Sequence, residues 1–307
     1  MEACAVTIHL VGDGLAGLLL ARHLRELSHP VTVYGDGETN TPPAALVHLF
    51  AGRTFRRDEI ELECFAEAVR TWRAEPLAQE YPVRRKLRSG ERLERSLENA
   101  ELPLQWRPRR LEDDWVEYSP GFSIASKALE ERLRAELGES YRPGRQDWRE
   151  LADLKILAVG IDAAEDFPEE PWDLSSGRTV QTQSEPGEHL IIGDGVHRAP
   201  FLSQQQEQTV ILGGRSSPTS PRPQDEIEIA TRLTGLRHAE ISTWSGQRCA
   251  ARDHRPVLGW LDPSTFLFLG FGSRALFWLP YCVKLAARAL EGEPIDPQLD
   301  LARLERF

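Results

Sequence analysis

Cysteine is scarce and scattered: Cys4, Cys64, Cys249 and Cys282 form no CxxC pair and show no metal-ligand spacing. That pattern excludes a disulfide scaffold or a zinc site as the basis of the fold, and reduced thiols in a cytoplasmic protein are expected. The 8 histidines form no HxxxH or HxH cluster, so no metal is expected either. No apolar run approaches the roughly 18 residues needed to cross a bilayer. The first strand-like run begins at residue 6, so no signal peptide is expected ahead of it. Lysine is nearly missing, 4 residues beside 33 arginines, a bias that genome composition alone can produce. The net charge of −11 argues against general affinity for nucleic acid. One stretch runs against it. From Arg84 to Arg110 there are nine basic residues and four glutamates, a local excess of +5. Such a strip reads either as a solvated arginine-rich surface or as a docking strip for an anionic partner, RNA included.

What is present suits a globular protein with a sizeable core: 307 residues, 40% hydrophobic and 28% charged, enough for two lobes. The strongest local signal is at the start. Val6, Ile8, Leu10 and Val11 form a short apolar run of the kind a buried parallel strand has. Gly12-x-Gly14-x-x-Gly17 follows, then a helical pattern from Leu15 to Leu27 and a second strand at Val31–Tyr34. In such a turn Gly12 permits the tight bend, Gly14 lets backbone approach a pyrophosphate, and Gly17 lets helix and strand pack closely. The helix N-terminus, at Leu15 and Ala16, faces the phosphates. An acid for the ribose 2′-hydroxyl is expected about 20 residues on, at the tip of the second strand. There the chain reads Tyr34-Gly35-Asp36-Gly37. Either Asp36 reaches the ribose after a local bulge, or the adenosine end is held less tightly and Asp36 belongs to a solvated turn.

Further along, Asp58–Glu75 carries Ile60, Cys64, Phe65, Ala68, Val69 and Trp72 at helical spacing, and Ser126–Leu137 forms a second helix ended by Gly138. Residues 82–118 alternate basic and apolar positions, as short strands do. Ala152–Gly160 reads as a strand re-entering the nucleotide-binding sheet beneath the first. Strand-like runs at 179–182, 189–192 and 209–212 precede a helix from Ile227. A last strand at Phe266–Gly270 leads to a helix over Leu279–Leu290, with Pro280 in its first turn and Gly292 as its cap. The fold expected is α/β: a Rossmann-like FAD-binding domain with an inserted, smaller antiparallel-sheet substrate domain. The first is assigned residues 1–44, 119–174 and 246–307, the second residues 45–118 and 175–245.

Several segments, in order along nearly the whole chain, carry a resemblance. They are Gly12-x-Gly14-x-x-Gly17, Pro43-Ala44-Ala45, Phe50-Ala51-Gly52-Arg53, Ala152-Asp153…Gly160 and Gly246-Gln247-Arg248. The series continues with Asp253-x-x-Pro256-x-x-Gly259, Gly270-x-Gly272-Ser273-Arg274 and Leu299-Asp300…Phe307. Together they resemble the D-amino acid oxidase family of flavoproteins, which includes glycine and sarcosine oxidases. Residues Gly270–Gly292 also resemble the flavin domain of a bifunctional tRNA wobble-uridine modification enzyme of that family. The resemblance implies bound FAD, held by Gly12, Gly14, Leu15, Ala16, Gly17, Asp36, Ala44, Ala45, Gly160, Gly270, Gly272, Ser273 and Arg274. It also implies catalytic roles for Arg248 and Arg274, which would grip a substrate carboxylate through the planar guanidinium fork. The bland reading of both is an ion-paired or surface arginine.

The reaction implied is dehydrogenation of the C–N bond of a small amino acid or N-substituted amine, with hydride passing to the flavin and the imine hydrolysing in water. It needs orientation more than a protein base. Tyr281 or Trp244 would line the pocket, and oxygen or an electron carrier would be the acceptor. Cys249 does not have the spacing expected for covalent flavin attachment. Two features depart from the family: the chain is short, and Ala275-Leu276-Phe277-Trp278 is a bulky run where relatives are small, which allows a closed substrate pocket. Three alternatives follow: a tRNA-directed enzyme of the same chemistry, a flavin-binding protein without activity, and an NAD(P)-only reductase.

Overall fold

The computed structural model describes residues 6–37, 40–51, 57–87, 102–169, 172–185, 187–193, 196–202, 208–214 and 223–306. Cys4, Gly52, Arg53 and the middle of the basic strip (88–101) lie outside the described residues. In chain order the elements are β1 (Ile8–Val11), α1 (Leu15–Glu26), β2 (Val31–Gly35), β3 (Ala45–His48), α2 (Glu59–Ala74), β4 (Ala78–Lys86), β5 (Arg109–Arg110), β6 (Trp115–Ile124) and α3 (Ser126–Leu137). Next come β7 (Tyr141–Pro143), β8 (Lys155–Leu157), β9 (Trp172–Gln183), β10 (Leu190–Gly193), β11 (Val196–Leu202) and β12 (Gln208–Gly214). Apart from a one-turn helix at Ala163–Asp166 and several 3-10 turns, the remainder are α4 (Pro223–Thr234), β13 (Ala239–Ala251), β14 (Val257–Asp262), β15 (Thr265–Leu269) and α5 (Ala275–Leu290). Among the described residues no helix is long and apolar enough to cross a membrane.

The chain divides into two compact units. The first comprises Met1–Thr41, Leu129–Ser175 and Gln247–Phe307; the second comprises Pro42–Ala128 and Ser176–Gly246. The first is built on a six-stranded sheet of order β14-β15-β8-β1-β2-β7. All its pairings are parallel except β14 with β15. Strand β8 lies beside β1 with Leu10 opposite Ile156, the re-entry expected of residues 152–160. Ile8, Leu10, Val31 and Val33 are buried, as the inner strands of a covered parallel sheet require. Helix α1 packs against α5, and Val11, Leu157, Val257, Leu267 and Leu269 form a core cluster around the strand ends.

Helix α5 corrects one expectation. It begins at Ala275, so Pro280 stands inside it rather than in its first turn. Leu276, Phe277, Trp278 and Leu279 are all buried, and that burial outweighs the roughly 3 kcal/mol that an internal proline costs a helix. The C-terminal end follows expectation: Gly292 has φ +93°, with Gly292 N donating to Ala289 O (3.1 Å) and Glu293 N to Arg288 O (3.0 Å).

The second unit holds a nine-stranded sheet of order β13-β9-β12-β11-β10-β4-β6-β3, with β5 paired to β6. Its pairings are antiparallel apart from β10 with β4 among those whose register is defined. Strand β6 pairs with both β3 and β4, so residues 119–128, expected with the nucleotide-binding pieces, lie in this unit. The six α2 residues at helical spacing are all buried, and Glu67 is buried with them; Asp58 caps that helix by accepting from Glu61 N (3.0 Å). Helix α4 packs on β11 and β12, where Ala230 joins Val180, Val196, Val210 and Leu212 in a core cluster.

Candidate cofactor and substrate site

The turn between β1 and α1 is shaped by its glycines. Gly12 has φ +113°, and a Cβ there would lie 2.3 Å from Ala158 O; only glycine fits. A Cβ at Gly17 would lie 2.0 Å from Gly12 O, so helix and turn pack backbone to backbone. Gly14 differs from both, because a Cβ there would meet nothing within 4 Å. It is the N-cap of α1, provides no capping side chain, and the first turn carries no acidic residue. The amides at such a helix start, here those of Gly14, Leu15 and Ala16, are the groups that suit an anion. Gly160, with φ +59° and open space around it, begins the turn after β8, two residues beyond Ala158. These residues fit a pyrophosphate.

The tip of β2 gives a different result for Asp36. The β1–β2 and β2–β7 registers run without a shift to Gly35, so no bulge re-aims the chain. Asp36 is exposed and pairs with Arg145 (3.3 Å), which also holds Asp162 (3.1 Å). Over Gly35 sits Asp13 instead, a residue that sequence reasoning passed over. Its carboxylate is 7% exposed. Its Oδ2 accepts from the Tyr141 hydroxyl (2.8 Å), Gly37 N (3.1 Å) and Arg134 Nε (3.2 Å). Arg134 also donates to the Asp13 carbonyl (3.2 Å) and to the fully buried Glu130 (3.1 Å); Glu130 accepts from Thr41 in turn. Burial, then the Asp13 carboxylate, pushes the Tyr141 hydroxyl up to about 12, so it stays a donor. The signal was present in the sequence as an acid inside the glycine motif together with a glycine at the strand tip.

The second group of predicted residues gathers after β15. Gly270 and Gly272 both have positive φ. Phe271 between them bridges to Ala250 of β13, and a Cβ at Gly272 would lie 2.8 Å from the Ala250 Cβ. This turn therefore packs against β13 just beyond Arg248. Ser273 is exposed. Arg274 donates to His254 O (3.2 Å) and lies over the rings of Trp278 (5.1 Å) and Phe277 (5.7 Å), a stacked position. The bulky 276–278 run is buried in the packing of α5. Trp278 Nε1 is a buried donor with no partner among the described residues.

Arg248 is half-buried. Burial alone moves its pKa, downward, and among the described residues its guanidinium has neither an ion pair nor a hydrogen bond. Asp253, five residues on, is occupied. Burial would raise its pKa, but hydrogen bonds from Arg303 Nε (2.9 Å) and Arg255 N (3.0 Å) hold it below the usual range. Burial, helped by Asp173, raises the Cys249 thiol to about 11, which leaves it protonated and unreactive.

Ala44 and Ala45 belong to the second unit, Ala44 buried and Ala45 opening β3 opposite Ile124. The backbone just after them is fixed by buried guanidiniums. Arg57 donates to Leu49 O (2.6 Å) and Ala51 O (2.5 Å), and Arg85 to Phe50 O (3.0 Å). Much of the described part of the basic strip is neutralised. Arg84 and Arg109 share Glu117 (3.0 and 2.9 Å), and Arg110 faces Asp114 (3.7 Å).

Solved structures of oxidases of amines and amino acids share the fold of this chain. Glycine oxidase from Geobacillus kaustophilus superimposes with a TM-score of 0.75 at 13% identity, over 97% of this chain and 98% of that one. Iminodiacetate oxidase from Chelativorans sp. BNC1 gives 0.72 at 17% identity, over 95% and 98%. In sequence the chain is similar to the tRNA 5-methylaminomethyl-2-thiouridine biosynthesis bifunctional protein MnmC of Polaromonas naphthalenivorans, 25% identical over 239 residues. That alignment covers 65% of this chain and 37% of the relative; the chain spans well under half the length of the curated relatives it matches. No protein-family model matches the chain.

Proposed function

We propose that this protein is an FAD-dependent oxidoreductase that oxidises the C–N bond of a small amino acid or N-substituted amine bearing a carboxylate. The observation that carries this reading is Arg248: a desolvated guanidinium with no partner among the described residues, on the strand that packs against the Gly270–Gly272 turn. Leaving such a group uncompensated costs stability, and a bidentate carboxylate is the ligand its fork matches best. The fold, shared with oxidases of amines and amino acids, supports the same reading.

Bound FAD would supply the two-electron acceptor that the oxidation requires. The chain's own part is to bind and orient. The amides of Gly14, Leu15 and Ala16 would hold the cofactor's pyrophosphate, and the Gly270, Gly272 and Ser273 turn would hold it nearer its ring system. Arg248 fixes the substrate by its carboxylate, with the amine neutral so that its lone pair assists loss of hydride from the adjacent carbon. Water then hydrolyses the imine. Asp253 and Cys249 take no part, the first being bound to Arg303 and the second held protonated. Arg274, stacked on Trp278, shapes the turn.

The test is a visible spectrum of the purified protein followed by anaerobic addition of amino acids and N-methyl amino acids. A flavin spectrum bleached by one of them is expected. A colourless protein that FAD cannot reconstitute would overturn the reading. A second reading has the likeness to MnmC in its favour: the same chemistry on an aminomethyl group of a modified uridine in tRNA. It predicts a flavin bleached by modified tRNA and by no free amine, and salt-sensitive tRNA binding.

A further inference from the structure

Gly35 stands at the tip of β2, where a dinucleotide-binding sheet ordinarily carries the acid for the adenosine ribose. We infer that in this chain the acid has moved into the glycine turn, and that Asp13 is the residue that receives the vicinal ribose hydroxyls of the cofactor's adenosine half. The inference rests on the flavin reading above. Its geometry is specific. A Cβ built on Gly35 would lie 2.0 Å from Asp13 Cγ and 2.2 Å from Asp13 Oδ1. The Asp13 carboxyl therefore fills the volume that a side chain at position 35 would enter, and acids at both positions exclude one another.

All three donors to this carboxylate go to Oδ2, and among the described residues none donates to Oδ1. One oxygen is thus fixed from three directions while the other is left as an acceptor. Arg134 grips both the side chain and the carbonyl of Asp13, which sets the carboxylate's direction and compensates its charge beside a site for phosphates. Asp36, the rival acid, is exposed and paired with Arg145.

The test uses the purified protein stripped of flavin. FAD affinity is read from quenching of flavin fluorescence, and ADP and 2′,3′-dideoxy-ADP compete for the site. The wild-type protein is expected to prefer ADP about tenfold, the value of one charge-assisted hydrogen bond. Asp13→Ala is expected to lower FAD affinity about tenfold and to bind the two competitors alike. The double variant Asp13→Ala/Gly35→Glu, which returns the acid to the strand, is expected to recover both affinity and preference. Wild-type protein that binds FAD yet treats the two competitors equally would overturn the assignment and leave the flavin reading intact. An Asp13→Ala variant that weakens both competitors equally while keeping the preference for ADP would reduce Asp13 to a structural staple. Wild-type protein that takes up no FAD would overturn the flavin reading and this assignment with it.

Discussion

At the scale of single residues, the two arginines singled out from sequence separate once their surroundings are known. Arg274 is occupied by a carbonyl and two rings, whereas the Arg248 guanidinium is desolvated and, among the described residues, without a partner. Replacing Arg248 by alanine should raise KM for a carboxylate substrate about tenfold or more and leave flavin content unchanged. Because an uncompensated cation is removed, Tm should hold or rise, a trade of stability against function. A variant with unchanged KM, or one that melts like a core deletion, would refute the role. The opposite pattern is expected of Arg57, whose guanidinium satisfies the carbonyls of Leu49 and Ala51. Arg57→Ala should destabilise by about 1–3 kcal/mol for the acceptors left buried, measured by urea denaturation. Residue types showed in the sequence, but not their partners. Asp13 and Gly35 are 22 positions apart, and only the parallel register of β1 and β2 makes them one feature.

At the scale of elements, the strand–turn–helix at the N-terminal end was legible because glycine spacing and apolar runs are local signals. The same holds for α2, whose six apolar residues read at helical spacing are all buried. Helix α5 was misjudged at its start because proline's local preference for a first turn yields to burial of the 276–279 run, a tertiary effect no window of sequence contains. The glycine turn also makes a prediction of its own. Gly14→Ala and Gly17→Ala are equally conservative on paper, yet the new methyl meets open space at 14 and the Gly12 carbonyl at 17. Gly14→Ala should keep the melting temperature of the flavin-free protein within a few degrees and lose FAD affinity; Gly17→Ala should lose both. Thermal melts with and without FAD distinguish them, and equal destabilisation by the two would contradict the space found at Gly14.

At the scale of the whole molecule, acid sensitivity is expected to begin in the second unit. Burial, then charge from His197 and nearby arginines, holds His48 well below its usual pKa. Burial and Arg198 take His238 down to about 4, and burial lowers His189. The unfolded chain takes up these protons first, near pH 6.5, so stability is full above that value and is lost as pH falls toward 4. Further down, Glu117 and Asp253, whose folded pKa values are depressed, lose their contributions as they protonate. Tm should therefore fall steadily between pH 7 and pH 4, and a His48→Asn/His238→Asn variant should show a shallower slope. A flat profile would mean that the three rings are hydrated.

Strand order in the first sheet also sets a timetable. β1 lies between β2 and β8, and β8 takes β15 as its other neighbour, yet these strands leave the ribosome at residues 31–35, 155–157 and 265–269. Early in synthesis the nascent glycine turn can rest only on β2. The Ala158 carbonyl against which Gly12 is fitted emerges more than a hundred residues later, and the turn at Gly270 later still. Contacts of such long sequence separation close slowly and leave apolar strand edges uncovered meanwhile. Maturation of the nucleotide pocket is thus expected to be a late folding event, in which FAD supplied during expression acts as a template and raises the yield of soluble protein.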